Sequence, residues 1–238
     1  MPLRAVLFDA TGTLIELAEP VGETYARIAA RYGAAISPWR LADAFARVLR
    51  RAPPLVFPDL PAEQIDAAER AWWRERVRAT FLAADSAVRP APFEACFDAL
   101  WSHFAQGRAW RARPGAHEAL RALRSAGLAT AVVSNFDWRL RGILAELSLG
   151  AWLDLVVLPS DTGAAKPDPA PLRHALARLG ARAAEAVAVG DDPARDLEPA
   201  RRLGLRAIDV RELATLADLP ARIAALSSAA ADAQDSGA

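Results

Sequence analysis

The stretch from Arg4 to Leu14, Arg-Ala-Val-Leu-Phe-Asp-Ala-Thr-Gly-Thr-Leu, constrains this chain more than any other. Ala5, Val6, Leu7 and Phe8 form an unbroken apolar run, which fits a strand buried on both faces. The run stops at Asp9 and gives way to a polar turn containing Gly12. In an open parallel sheet, ligands bind in the crevice outside the strand ends. A carboxylate placed there has its backbone fixed by the sheet and its side chain offered to the crevice. Asp9 is therefore the first candidate for chemistry.

The next ninety or so residues read differently. No strand-like alternation occurs between about Glu16 and Arg108. Pro20 suits the start of a helix whose Val21, Tyr25, Ile28, Ala29 and Tyr32 share one face, with Gly33 at its end. Ser37-Pro38 opens a second helix with Leu41, Phe45, Val48 and Leu49 inward. Prolines at 53, 54, 58 and 61 break the chain before a third helix carrying Trp72, Trp73, Val77 and Phe81. Pro90 and Pro92 precede a fourth, with Phe93, Phe97, Leu100, Trp101 and Phe104. Tryptophans at helical spacing read as core rather than as a substrate cage.

From Arg113 the rhythm becomes alternating helix and strand. Apolar strands are expected at 129–133, 155–158, 186–189 and 206–208, with amphipathic helices between them. Such alternation implies parallel pairing through right-handed crossovers. The expected fold is α/β: a Rossmann-like parallel-sheet core, residues 1–15 and 109–226, with an inserted all-helical domain at 16–108. Residues 227–238, rich in Ala, Ser and Asp, show no periodic face and are expected to be disordered.

Composition narrows the function class. Lys plus Arg equals Asp plus Glu, for zero formal charge, which argues against nucleic acid or an anionic membrane as the main partner. The single cysteine, Cys96, excludes an internal disulfide and reads as a small buried side chain. The N-terminal apolar run is broken by Asp9 within a few residues, so no signal peptide is expected, and nowhere do roughly 18 apolar residues run without a charge, so no membrane span is expected. A cytoplasmic protein, monomer or homodimer, acting on a small molecule is expected.

Reactive side chains gather at four places: Asp9 with Thr11 and Thr13; Ser134 with Asn135; Lys166; and Asp191, Asp192 and Asp196. Each alone has a plain explanation. Asp192 before Pro193 is most simply a helix cap, Ser134-Asn135 an ordinary turn, and Lys166 a solvated loop residue. Together they form a coherent set, because strand ends of a parallel sheet share one edge. Two carboxylates can hold a Mg²⁺ that keeps waters and phosphate oxygens as its other ligands. A hydroxyl, an amide and an ammonium can orient and neutralise a phosphoryl group. Asp9 is then placed to attack phosphorus.

The chain resembles the haloacid dehalogenase-like (HAD) hydrolase superfamily over nearly its whole length. Asp9-Ala10-Thr11-Gly12-Thr13-Leu14 resembles the first motif of that superfamily, Ser134-Asn135 the second, Lys166-Pro167-Asp168-Pro169 the third, and Gly190-Asp191-Asp192 through Asp196 the fourth. The helical insert resembles its cap domain. The Tyr25 helix, the Trp72-Trp73 pair and Ser-Asn-Phe-Asp at 134–137 resemble one branch of it. The resemblance implies that Asp9 is nucleophile and Mg²⁺ ligand, with the Thr11 carbonyl a second ligand and Asp191 a third, aided by Asp192 or Asp196. It implies that Ser134, with Asn135 beside it, binds the phosphoryl group, and that Lys166 stabilises charge on nucleophile and transferring group. The substrate is then a small phosphorylated molecule.

One position departs from the pattern. Phosphatases of that superfamily carry an aspartate two residues after the nucleophile, as acid to the leaving group and base to the water; here it is Thr11. A threonine hydroxyl cannot serve so near neutral pH, and general acid–base help is worth roughly 10²–10⁴-fold. Three readings follow: a slow Mg²⁺-dependent phosphatase, a 2-haloacid dehalogenase whose aspartate attacks carbon, or a non-catalytic protein that binds a phosphorylated ligand. Asp191 as a metal carboxylate favours the first. Arg27 and Trp39 are candidates for contacting substrate from the helical insert, although solvated or core roles are simpler for both.

Overall fold

The computed structural model describes residues 2–226; the tail at 227–238 lies outside the described residues. In chain order the elements are β1 (Ala5–Phe8), β2 (Ile15–Leu17), α1 (Val21–Ala30), α2 (Pro38–Arg50), α3 (Ala62–Ala84), α4 (Phe93–Phe104), β3 (Trp110–Ala112) and α5 (Ala116–Ser125). There follow β4 (Ala129–Val133), α6 (Leu140–Glu146), β5 (Leu155–Val157), α7 (Pro159–Thr162), α8 (Ala170–Leu179), β6 (Ala186–Gly190), α9 (Glu198–Leu203) and β7 (Arg206–Asp209). The chain divides into two compact units, Met1–Glu16 with Ala112–Ala238, and Leu17–Arg111.

In the first unit a five-stranded sheet runs in the order β5-β4-β1-β6-β7. The pairings are parallel, with Phe8 beside Val132 on one side and Val189 on the other. The earliest strand is therefore the central one, and every residue of β1 is buried, as its apolar run requires. Side chains alternate across the sheet. Ala5 and Leu7 face one side with Ala131, Val133, Ala186 and Ala188, packed under Leu172, Ala175 and Leu176 of α8. Each fully buried Leu there contributes roughly 1.5–3 kcal/mol. This register puts Asp9 and the residues after β4 and β6 at one edge of the sheet.

The second unit is built from α1 to α4. Its core gathers Tyr25, Ile28, Leu41, Val77, Phe81, Cys96, Phe97 and Leu100. Tyr25 is the hub, its ring 5.6, 5.8 and 6.1 Å from those of Phe45, Phe81 and Phe104. Cys96 is buried among these side chains, and burial pushes its thiol up to about 12, so no thiolate forms near neutral pH. Trp73 packs against this core, whereas the half-buried Trp72 donates its indole N–H to the Pro53 carbonyl at 3.2 Å. Trp39 is 71% exposed, and Arg27 donates to Glu19 at 2.7 Å.

Two details depart from the sequence reading. β2 and β3 form a separate two-stranded sheet, but at three residues each they are too short to show alternation. The helix expected from Pro193 to Leu203 is broken: Pro193–Leu197 is a π-helical turn, and regular α-helix begins only at Glu198.

Candidate active site

The Asp9 backbone is fixed by its amide, which donates to the Val189 carbonyl at 2.8 Å. Its carboxylate is then 2.6 Å from the ammonium of Lys166. That same Nζ lies 2.6 Å from Oδ1 of Asp196, so one cation bridges two carboxylates from different loops. The side chains of Lys166, Asp196 and Asp9 are only 4%, 6% and 12% exposed. Burial of this degree costs several kcal/mol per ion unless each charge is paired and hydrogen-bonded, and here each is.

Asp196 reaches this position because of the π-helical turn. Asp192 caps the turn, its Oδ1 accepting from the amides of Ala194 and Arg195 at 2.9 and 3.1 Å. The simple capping role is thus where the structure puts Asp192. Its own amide donates to Asp196 Oδ2 at 3.1 Å, so both oxygens of Asp196 are engaged, one by Lys166 and one by the backbone. Gly190 makes room: a Cβ there would stand 2.5 Å from that of Asp196.

Asp191 sits opposite. The Thr13 hydroxyl donates to its Oδ1 at 3.5 Å, and Gly12, at φ +92°, passes close to Oδ2. The Gly12 turn is pinned by Arg113, whose guanidinium donates to the Gly12 carbonyl and whose amide donates to Leu14 at 2.9 Å. Thr11 is exposed and bridges to Ile15 across the turn.

Carboxylate oxygens of Asp9, Asp191 and Asp196 all lie within 4.8 Å of one another. The crowding shows in the proton affinities of Asp9 and Asp191. Burial, with the Asp196 charge behind it, raises the Asp9 carboxyl to about 6 against the opposing pull of Lys166. Burial followed by Asp196 also raises Asp191. Burial pulls Lys166 down, but Asp9 and Asp196 outweigh it and hold the ammonium charged. Ionised, the cluster carries three negative charges against one positive. A hard divalent cation matches that surplus, and Mg²⁺ is held by one or two carboxylates with waters completing its shell. Asp9 and Asp191 fit that requirement, since Asp196 has both oxygens occupied.

Ser134 and Asn135 follow β4 at the same sheet edge. The Ser134 hydroxyl is buried and accepts from the Phe136 amide at 3.3 Å. The Asn135 carboxamide is turned to the Lys166 backbone, donating to its carbonyl and accepting from its amide, each at 2.8 Å. Two residues later Asp137, wholly buried, takes a two-pronged bond from Arg139 at 2.7 Å in each prong. Sequence reasoning passed over the contact of Arg113 with the Gly12 turn, the room that Gly190 leaves for Asp196, and this ion pair. A compositional signal for Lys166 was also there to find: it is the only lysine among the 29 Lys and Arg residues.

A family model for haloacid dehalogenase-like hydrolase matches residues 3–204. The chain belongs to that family. This HAD-like hydrolase is 34% identical over 207 residues to haloacid dehalogenase-like hydrolase domain-containing protein 3 of Danio rerio, covering 87% of this chain and 84% of the relative. It is 32% identical over 214 residues to a plasmid-encoded phosphoglycolate phosphatase of Cupriavidus necator, covering 89% and 82%. Among solved structures, an L-2-haloacid dehalogenase superposes with a TM-score of 0.70 over 94% of this chain and 99% of its own, at 20% identity. That last likeness concerns the fold. Among the described residues of the HAD-like hydrolase, no helix is long and apolar enough to cross a membrane.

Proposed function

We propose that the chain is a Mg²⁺-dependent phosphomonoester phosphatase in which Asp9 becomes transiently phosphorylated. One observation carries the reading: a strand-end carboxylate is held against a buried ammonium, with the carboxylates of Asp191 and Asp196 within 4.8 Å. A relative named as a phosphoglycolate phosphatase supports the same class.

Asp9 and Asp191, with the Thr11 carbonyl, would hold Mg²⁺, which when bound offsets negative charge on phosphoryl oxygens. Asp9 attacks phosphorus, the ester P–O bond breaks, and the leaving group departs as its alkoxide, which takes a proton from solvent. Lys166 keeps Asp9 ionised and oriented and faces the charge that builds on the transferring group. The Ser134 hydroxyl is a donor for a phosphoryl oxygen. Water then attacks phosphorus, releasing inorganic phosphate and restoring the Asp9 carboxylate. Thr11 supplies no proton to the leaving alkoxide and takes none from the water. Esters of acidic alcohols, which leave without a proton, are therefore the best substrates, and hydrolysis of the phosphorylated aspartate is the slow step.

The deciding assay compares 4-nitrophenyl phosphate and a panel of phosphorylated metabolites with and without Mg²⁺. Phosphate release that needs the metal and disappears in Asp9→Asn is the expected result. Halide release from a 2-haloacid without added metal would replace this reading with dehalogenation. Phosphate binding without either reaction would replace it with a binding protein.

A further inference from the structure

We propose that Asn135 acts as a positioning residue for Lys166. The inference deepens the phosphatase reading, on which its kinetic part rests.

The geometry points to it in three steps. The ammonium of Lys166 has to reach Asp9 and Asp196 at once, at 2.6 Å from each, which leaves little tolerance in where its backbone stands. That backbone belongs to the loop between α7 and α8 rather than to the sheet, so ladder hydrogen bonds do not fix it. The Asn135 carboxamide does: its Nδ2 donates to the Lys166 carbonyl and its Oδ1 accepts from the Lys166 amide, both at 2.8 Å. A primary amide meeting a peptide through both of its groups mimics the paired bonds of a sheet. It ties the lysine loop to the end of β4, itself in register with β1 and hence with Asp9. This pair takes the carboxamide oxygen and one of the two Nδ2 protons, so most of the hydrogen-bonding capacity of Asn135 goes to the Lys166 backbone and a single N–H is left over. Ser134, next to it, keeps a hydroxyl proton free for a phosphoryl oxygen, since its oxygen is the acceptor in its bond to Phe136.

Because Lys166 is the only lysine, protein grown on ¹⁵N-lysine gives a single lysine amide signal, a direct report on this bond. In Asn135→Ala that signal is expected to move upfield, and its hydrogen exchange to speed up on the order of tenfold, as for loss of one buried hydrogen bond. Mg²⁺ binding, measured by calorimetry on the same sample, is expected to be unchanged, which shows the variant is folded with its carboxylates in place. With 4-nitrophenyl phosphate, kcat is expected to fall roughly 10- to 100-fold with KM altered less than about twofold, the pattern of lost alignment rather than lost binding. An unmoved lysine signal overturns the proposal, as does a raised KM at unchanged kcat, which would put Asn135 on the substrate. If the wild type turns over no ester, the phosphatase reading falls while the labelled amide still decides the role of Asn135.

Discussion

A Cβ built on Gly12 would stand 2.5 Å from Oδ2 of Asp191, closer than nonbonded atoms approach. The two residues come from turns after different strands and meet because β1 and β6 are neighbours in register. Gly12 is also at φ +92°, where a side chain is strained even in open space.

Gly12→Ala therefore carries two faults, a strained backbone and a displaced carboxylate. We expect a loss of about 1–3 kcal/mol in chemical denaturation, from the backbone conformation. Mg²⁺ affinity should drop on the order of 10- to 100-fold, as when the support of a metal ligand is removed. A variant that binds Mg²⁺ as the wild type does would show that Asp191 stands free of the Gly12 turn.

The raised Asp9 carboxyl gives a pH dependence whose sign is fixed. Its value of about 6 in the fold exceeds the ordinary 3.8, so between those values the metal-free folded state binds more protons than the unfolded state. Asp9 then lowers the stability of the metal-free protein as pH rises from about 4 to 6. Asp9→Asn lacks this effect and should gain in melting temperature relative to wild type across that window. Mg²⁺ needs the ionised carboxylate, so its dissociation constant in the wild type should rise roughly tenfold for each pH unit below 6. Parallel pH profiles for the two proteins would exclude this assignment.

How much of this could be read beforehand depended on how local each cause is. The Ala5–Phe8 run identified the buried strand because burial on both faces leaves a mark on every residue of it. Asp9 and Asp191 were legible as strand-end residues, and Lys166 as a loop residue after the third expected strand, because their chemistry fits together. The part taken by Asn135 was not, since its partner is the backbone of a residue 31 positions away and a carboxamide has no preferred partner. Asp196 was legible only as a helper. Its central place depends on a π-helical turn, and helical periodicity assumes regular α-helix there.

Lys166→Met removes the one cation between Asp9 and Asp196 while keeping most of the side-chain volume. Two buried carboxylates are then left without their partner, and breaking a buried pair costs about 3–5 kcal/mol. Loss of the ammonium, which holds the Asp9 carboxyl down, raises its proton affinity further, so the metal-free variant should be most stable in acid and lose stability as pH rises. Added Mg²⁺ should restore more melting temperature to the variant than to the wild type at pH 8. Equal rescue of both would mean that Lys166 and the metal do not act on the same charges.

The Asp137–Arg139 pair offers a contrast in burial. Their side chains are 0% and 5% exposed, so Asp137→Ala takes the paired carboxylate away from a buried guanidinium and is expected to cost about 3–5 kcal/mol. Arg47 and Asp43 pair on the open face of α2, and Asp43→Ala should cost at most about 0.5 kcal/mol. Urea denaturation of both variants measures the difference. Comparable losses would show that Arg139 finds another acceptor when Asp137 is gone.

Thr11→Asp tests the acid–base step that the proposed mechanism leaves without a side chain. Thr11 is exposed, so the slightly larger carboxylate meets no packing barrier, although it adds a charge two residues from Asp9. That charge should lower metal-free stability slightly and leave the Mg²⁺-bound protein nearly unaffected. An aspartate there can protonate the leaving alkoxide and deprotonate the incoming water, help worth roughly 10²–10⁴-fold. The gain should be greatest for alkyl phosphates, whose alkoxides need the proton, and smallest for 4-nitrophenyl phosphate, whose leaving group does not. A uniform gain across both ester classes would assign the missing step to water attack on phosphorylated Asp9. No gain in a folded, Mg²⁺-binding variant would mean that another group already moves these protons.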